Sequence, residues 1–381
     1  MNEQPKSIIT IENEFAGMGR RSATISIPGR DPQVLTYESY DGPLAVDAGD
    51  DAFLMAPLLL LMEAGYAVHV DGQITSRLLI NLHELQTAWA RWRPTKYKVV
   101  QITARDILDT TLTAGPAISA FSGGVDASYT VFNLTKKPSL VDLQTVIFVH
   151  GFDIPIDRED EYKSARDRGE SMLSGLGLKS VGLKTNFRAL DQSWEDSFGL
   201  AVSSCLTLFQ DKHSIGLIGS GKAYDDLNLP WGSTPATDHL NSTGLMDIRH
   251  YGAGASRTEK MENLLNWPAA MKYLRVCWQG ERGDSNCGRC EKCIRTFLNF
   301  KVAGAGELEC FEQTPDRKSI RGLRVASRSQ LKELVSILDY AKGRDLSEPW
   351  LPDLRIATAI NSIRVPARKN KTLRRIFQAI K

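Results

Sequence analysis

The sequence lacks an apolar run long enough to cross a bilayer. The longest run, from Ala52 to Met62, has 11 residues and contains Pro57, whereas a membrane-spanning helix needs about 20 apolar residues. The first residues mix acidic with apolar side chains and show no apolar core of a secretory signal peptide. We therefore expect a cytoplasmic protein without a membrane partner.

The chain also lacks a strong imbalance of charge. Among 381 residues, 47 are Lys or Arg and 45 are Asp or Glu, which gives a net charge of +2. This balance gives no reason to expect nucleic acid as a partner. The final 21 residues contain seven Lys or Arg and no acid, which indicates either a solvated helix end or a patch for an anionic partner.

No internal repeat and no low-complexity linker divides the chain, so its organisation follows from the order of predicted elements. Residues 1–112 mix strand and helix patterns, including a leucine-rich helix from Arg77 to Trp92, and predict an N-terminal α+β accessory domain. From residue 113 to 310, strands alternate with helices, which predicts an α/β domain with a parallel sheet covered by helices on both faces. Residues 311–381 predict a helical, basic C-terminal segment.

A glycine-rich stretch, Ser122-Gly123-Gly124-Val125-Asp126, joins a predicted strand to a predicted helix. Glycines let backbone N–H groups approach an anion, and the helix N-terminus attracts negative charge. Ser122 and Ser128 offer hydroxyl donors, and Asp126 fits a phosphate site if a divalent cation bridges it to the phosphates. The other interpretation is a turn in which Asp126 caps the helix. The stretch matches neither a Walker A motif nor a G-x-G-x-x-G fingerprint.

Three further residues are candidates near this loop, and each has a structural alternative. His150 ends the second strand of the α/β domain, where an adenine and ribose would lie, or is only a polar strand end. Gly219 ends the last predicted strand, where it would admit an α-phosphate, or forms a turn. Lys260 is a candidate for neutralising phosphate charge, or is a solvated lysine at a helix start.

Four of the six cysteines fall within 17 residues: Cys277, Cys287, Cys290 and Cys293. In a large chain without an export signal, such a cluster favours metal binding over disulfides. The C-x-x-C-x-x-C knuckle supplies three thiolates and Cys277 a fourth, as a closed tetrahedral zinc site requires. The alternatives are an iron–sulfur cluster or cysteines used as small core residues.

The loop and the cysteines together carry a family resemblance. Ser122 to Asp126 resembles the S-G-G-x-D-S loop of the PP-loop ATP pyrophosphatases, with Ala127 in the place of the family's second serine. The cysteine pattern, with Arg295 and the F-x-x-A-G stretch that follows, is similar to that of the 7-cyano-7-deazaguanine synthase (QueC-like) branch. Arg257-Thr258-Glu259-Lys260 resembles the lysine-bearing helix start of that branch. Its G-Y-P-D-C stretch is missing.

This resemblance implies a function and three cofactors: ATP, Mg²⁺ and Zn²⁺. The enzyme would adenylate a carboxylate, 7-carboxy-7-deazaguanine or a related one, with Asp126 and Lys260 as catalytic residues, and transfer the acyl group to an amine. The added N-terminal residues resemble the architecture of QueC-like proteins of anti-phage systems, in which a protein partner accepts the deazaguanine. The segment would hold such an acceptor, mediate a homodimer, or cover a sheet edge. A nucleotide-binding sensor or scaffold and a tRNA-modifying PP-loop enzyme are the alternative functions.

Overall fold

The computed structural model of the chain describes residues 5–47, 49–136, 139–277 and 284–367. The strands in these ranges are β1 (Lys6–Glu12), β2 (Arg20–Ser26), β3 (Gln33–Ser39), β4 (Ala67–Thr75), β5 (Ile102–Leu108), β6 (Ala117–Ala120), β7 (Leu143–His150), β8 (Lys179–Thr185), β9 (Ile215–Gly219) and β10 (Asp247–Tyr251). The helices are α1 (Asp51–Met55), α2 (Leu58–Ala64), α3 (Ser76–Trp92), α4 (Val125–Lys136), α5 (Glu159–Leu173), α6 (Trp194–Thr207), α7 (Arg257–Leu264), α8 (Pro268–Tyr273), α9 (Glu291–Ala303), α10 (Arg317–Arg321), α11 (Arg328–Gly343) and α12 (Leu351–Ala367). Within the described residues, no helix is long and apolar enough to cross a membrane.

All ten strands form one sheet in the order β10-β9-β6-β7-β8-β3-β2-β1-β4-β5. The five strands from β10 to β8 run parallel, as the alternation of strands and helices predicts. Helix α4 packs on one face of β6 and β9 and helix α6 on the other. The predicted α/β class with helices on both faces is therefore confirmed. The chain order of the strands reverses between β6 and β9, and a crevice opens at such a switch point beyond the carboxyl ends of the strands.

The strands of the N-terminal segment belong to the same sheet. Strand β3 pairs antiparallel with β8, with Tyr37 opposite Thr185 and Ser39 opposite Leu183. Helix α1 packs against α6, so that residues of both helices share one hydrophobic cluster. Strand β3 therefore covers the edge of the parallel strands at β8, as one of the roles predicted for residues 1–112 requires.

The C-terminal helices complete the opposite face. Leu334 and Ile337 of α11 and Leu354 and Ala357 of α12 are buried in the cluster that also contains α4, α7 and α9. Residues 311–367 thus extend the core of the α/β unit, and their helical character is as predicted. Most of the basic residues predicted for the C-terminal end fall on residues 368–381, which lie outside the described residues.

Candidate active site

The glycine-rich loop lies at the switch point and leads from β6 into α4. Gly123 has φ of +73°, a left-handed conformation that a residue with a Cβ rarely adopts. Gly219, at the end of β9, packs directly against the first turn of α4: a Cβ added there would lie 2.8 Å from the carbonyl oxygen of Asp126. The first turn of a helix has N–H groups without acceptors inside the helix. The loop is therefore built to turn tightly and to present backbone donors beside β9.

A cleft of about 510 Å³ opens at this loop. One half is polar, and its lining includes Ser122 and Asp126 of the loop. The other half is apolar and aromatic; its lining includes Phe152, Trp194, Phe198, Val202 and Trp231. A smaller recess of about 100 Å³ adjoins the loop beside Gly124 and Cys277. A volume of this size, with polar groups at one end, is typical of a site for a small molecule.

Asp126 lies between two cations of α7. Its Oδ1 accepts a hydrogen bond from Lys260 Nζ at 3.1 Å, and its Oδ2 accepts one from Arg257 Nη1 at 3.2 Å. Burial opposes ionisation of Asp126, but the charges of Lys260 and Arg257 outweigh it and hold the pKa of the carboxyl below its usual range. About a quarter of the side chain is exposed, in the lining of the cleft. Asp126 is therefore an ionised carboxylate, accessible from the cleft.

Lys260 is buried beside Asp126. Only 1% of its side chain is exposed, so it is not a solvated lysine, and it is not among the residues that line the cleft. Besides Asp126, its Nζ donates to the carbonyl oxygen of Ser220, just beyond β9. Lys260 is therefore placed to hold Asp126, and Arg257 is the cation of this helix that faces the cleft.

Two further cations line both cavities, and sequence reasoning missed them: Arg275 and Lys292. The backbone N–H of Arg275 donates to the Gly123 carbonyl at 2.8 Å, and its Nε donates to the Ser122 carbonyl at 3.3 Å. Burial lowers the pKa of Lys292, and the charge of nearby Asp153 opposes this decrease. With Arg257, these two residues bring three positive charges to the loop, where Asp126 and Asp153 carry the opposite charge and Asp153 lies 3.6 Å from Arg275. An excess of positive charge suits a polyanion.

Two residues predicted to contact a nucleotide lie away from the cleft. Ser128 is fully buried in α4, where its hydroxyl contacts the Met172 sulfur at 3.9 Å. His150 is fully buried as well, and both of its ring nitrogens have partners: Nδ1 lies 2.8 Å from Tyr40 Oη and Nε2 lies 2.9 Å from the Pro155 carbonyl. The sequence placed both residues at element ends correctly, but the side chains point into the core.

The remaining loop residues offer a ligand mainly their backbone groups. Val125 is 1% exposed and packs into the core beneath the loop. Ser122 is exposed, lines both cavities, and its Oγ accepts a hydrogen bond from the Gly124 N–H at 3.3 Å. Gly219 lines the cleft, but the group that approaches it closely, in the space a Cβ would fill, is the backbone of α4. The prediction of an anion-binding loop thus rests on Ser122, the glycines and Asp126.

The four predicted cysteine ligands lie together next to the loop. The sulfur of Cys277 lies 3.6 Å from that of Cys287 and 3.7 Å from that of Cys290, and Cys287 and Cys293 are 3.9 Å apart. All four sulfurs lie within 4.8 Å of one another. Such a cluster could hold a metal ion such as zinc, because four thiolates at this spacing form a tetrahedral shell.

Three local features hold the cysteine segment from Cys287 to Cys293 in its conformation. Gly288 has φ of +67°, and a Cβ there would collide with the Gln313 carbonyl at 1.9 Å. Cys290 caps helix α9, since its sulfur accepts a hydrogen bond from the Cys293 N–H at 3.4 Å. The Asn286 side chain accepts hydrogen bonds from the backbone N–H groups of Val276 and Cys277. These contacts of the protein therefore bring the four sulfurs together.

Comparisons of this chain with protein-family models, with curated proteins and with solved structures found no match. The chemistry of the site is therefore inferred from its own side chains. The site combines a glycine-rich loop, the carboxylates of Asp126 and Asp153, and several Arg and Lys side chains with aromatic residues. A thiolate cluster adjoins it.

Proposed function

We propose that the chain is an ATP-dependent, adenylate-forming carbon–nitrogen ligase. The observation that carries this proposal is the meeting of Asp126 with Arg257, Arg275 and Lys292 at a glycine loop on the switch point of a parallel sheet. Triphosphate needs both backbone donors and cations, and this site supplies them.

The side chains also fit Mg²⁺ beside the phosphates. Each oxygen of Asp126 accepts one hydrogen bond from a cation, which leaves lone pairs on the carboxylate for a metal ion. Magnesium is usually held by one or two carboxylates together with substrate phosphates. Bound there, Mg²⁺ would neutralise charge on the departing pyrophosphate.

The reaction then takes two steps. A carboxylate oxygen of the substrate attacks the α-phosphorus of ATP, the bond from this phosphorus to the bridging oxygen of the β-phosphate breaks, and pyrophosphate leaves with the electron pair. The acyl adenylate is then attacked by an amine, and AMP leaves. Arg257, Arg275 and Lys292 stabilise the negative charge that develops as pyrophosphate departs. The aromatic half of the cleft holds the flat ring of the substrate.

For the substrate, we propose 7-carboxy-7-deazaguanine or a related carboxylate, as the resemblance to the QueC-like branch implies. The recess beside Trp194, Phe198 and Trp231 supports a planar heterocycle. The amine is ammonia or the amine of a protein partner. We also propose that the four cysteines hold Zn²⁺ as a structural ion, because all four positions are filled by thiolates and none is left for a substrate.

The first prediction concerns carboxylate-dependent exchange. Purified protein with ATP, Mg²⁺ and labelled pyrophosphate should form labelled ATP only when 7-carboxy-7-deazaguanine is added, because the first step is reversible only with the acyl adenylate bound. The measurement is ATP–pyrophosphate exchange, together with mass spectrometry of the adenylate. ATP binding without exchange for any carboxylate tested would favour the nucleotide sensor instead.

Ser128→Ala is the matched control for this assay. The variant alters the loop sequence at one hydroxyl, but that hydroxyl contacts Met172 rather than the cleft. Exchange should therefore stay within about twofold of the unchanged protein. A large loss would show that Ser128 contacts pyrophosphate and that α4 rearranges when ATP binds.

A further inference from the structure

A histidine outside the loop has the geometry of a base. His250, on β10, lines the cleft, and only 5% of its side chain is exposed. Its Nδ1 lies 2.7 Å from Oδ2 of Asp238. Its Nε2 is buried and has no hydrogen-bond partner among the described residues. A buried polar nitrogen without a partner is costly, and such groups are often found where a ligand or a reaction uses them.

Asp238 fixes the proton on this ring. Its side chain is 1% exposed; Oδ1 accepts a hydrogen bond from the Thr234 N–H at 3.0 Å, and Oδ2 accepts one from the Ser233 hydroxyl at 2.6 Å. An ionised carboxylate only accepts hydrogen bonds, so the proton of neutral His250 lies on Nδ1. Nε2 then carries a lone pair. The arrangement is that of an oriented general base.

His250 lines the cleft from the strand next to β9. In the sheet it lies opposite Ile218, and the next residue of β9, Gly219, contacts the backbone of Asp126. Ile218, Ser233, Thr234 and Trp231 line the cleft with it. The phosphates would occupy the loop at β6, so β10 borders the region where the acyl group and its attacking amine meet.

We propose that His250 is the general base that deprotonates the attacking amine in the second step, with Asp238 as its positioning residue. This inference rests on the proposed ligase function. Amines arrive largely as ammonium ions at neutral pH, and an ammonium nitrogen has no lone pair with which to attack. Nε2 takes one proton from the amine. The nitrogen then forms its bond to the acyl carbon, and the bond from that carbon to the AMP oxygen breaks, with the electron pair leaving on AMP. A second proton passes from the nitrogen to solvent, which gives the neutral amide. Asp238 stabilises the imidazolium formed in the first proton transfer.

Other charged groups around the cleft determine how much of the deprotonation of the amine depends on His250. Asp238 faces the ring directly. The charged residues that line the same cleft are Asp126, Asp153, Arg166, Lys222, Arg257, Arg275 and Lys292. Lys222 lies with its Nζ 5.5 Å from the centre of the Trp231 ring. Burial lowers the pKa of Lys222, and the charge of Asp226 opposes this decrease. Asp126 is held by Lys260. In this set, His250 is the base whose ring a carboxylate orients and whose other nitrogen has no hydrogen-bond partner among the described residues.

The test compares two acceptors in two variants. His250→Asn retains a side-chain amide that can donate to Asp238, and Asp238→Asn retains the shape of the carboxylate but favours the proton on Nε2. With ammonium chloride as the acceptor, both variants should form amide about 10²-fold more slowly than the unchanged protein. Hydroxylamine is unprotonated at neutral pH, so hydroxamate formation should change less than threefold. The deficit with ammonia should shrink as the pH rises and free ammonia accumulates.

Each result supports or overturns the role of His250 as the base. Equal loss with both acceptors means that His250 has only a structural role, and amide formation at the unchanged rate in His250→Asn overturns the inference as well. If the unchanged protein forms hydroxamate but no amide from ammonia, His250 does not deprotonate ammonium and the inference is overturned. ATP–pyrophosphate exchange is measured in parallel for all three proteins. Its absence in the unchanged protein defeats the ligase proposal itself, whereas normal exchange with unchanged amide formation defeats only the role of His250.

Discussion

Asp126→Asn should lower ATP–pyrophosphate exchange about 10³-fold while the protein remains folded. The substitution removes the one loop carboxylate that can bridge Mg²⁺ to pyrophosphate. It also removes one of the negative charges beside Arg257 and Lys292, while Glu333 still pairs with Arg257 and Asp153 remains near Lys292. Loss of one preorganised electrostatic group in an active site typically costs 10²- to 10³-fold in rate. ATP binding should weaken much less, because the backbone donors and the cations remain.

The variant is also expected to lose some stability, for a reason visible in the structure. Lys260 is buried against Asp126, and the neutral amide compensates its charge less well. The Ser220 carbonyl and the amide oxygen still accept hydrogen bonds from Nζ, so we expect a loss of about 1–3 kcal/mol rather than unfolding. Thermal unfolding followed by circular dichroism measures this, and calorimetry with ATP measures binding. Unchanged exchange in a folded Asp126→Asn protein would mean that the loop is only a turn.

The sequence predicts the loop and the cysteine cluster well because both are local. The tight turn needs Gly123 and Gly124 in place, and the knuckle needs cysteines at fixed spacing around Gly288, so their chemistry can be recognised in a few consecutive residues. The alternation of strands and helices is a repeated local pattern as well, and it correctly predicts the parallel part of the sheet.

Side-chain direction is what the sequence could not supply. Ser128 and His150 lie in the elements that the sequence predicts, but packing turns their side chains towards Met172 and Tyr40. The pairing of His250 with Asp238 depends on the contact of β10 with a short helix twelve residues earlier. No motif marks such a pair. Only the three-dimensional structure shows that one ring nitrogen is left without a partner.

The extent of the sheet was missed for a related reason. Strand β4 carries Asp71 and Gly72 in its centre, which weaken a strand pattern, and its register with β5 shifts between Val70 and Gln73. Gly72 is needed there because a Cβ would lie 2.5 Å from Oδ2 of Asp50. Strand β3 is a short strand whose partner β8 lies about 150 residues away. Local patterns therefore do not show that these strands join the other strands in one continuous sheet.

Removal of zinc should both destabilise the protein and weaken nucleotide binding. We expect one zinc ion per chain by elemental analysis, and Cys290→Ser or prolonged chelation should lower the free energy of unfolding by about 5 kcal/mol or more, since structural zinc in small domains contributes on the order of 10 kcal/mol. Cys205→Ser is the control, because Cys205 is equally a buried cysteine but belongs to the other hydrophobic cluster. It should keep its zinc. A brown iron chromophore, or a chain without metal, would contradict the assignment.

The effect on nucleotide binding follows from where the cysteines sit. Arg275 lies two residues before Cys277, and Lys292 directly precedes Cys293, so the thiolate cluster fixes the chain positions of both cations against the loop. If the metal is lost, the two cations and the hydrogen bond from Arg275 to the Gly123 carbonyl lose their support. Titration of ATP into Cys290→Ser, at a temperature where it remains folded, should therefore show affinity reduced at least tenfold, with Cys205→Ser unchanged. Normal ATP affinity in a zinc-free, folded protein would show that the loop holds its cations without the knuckle.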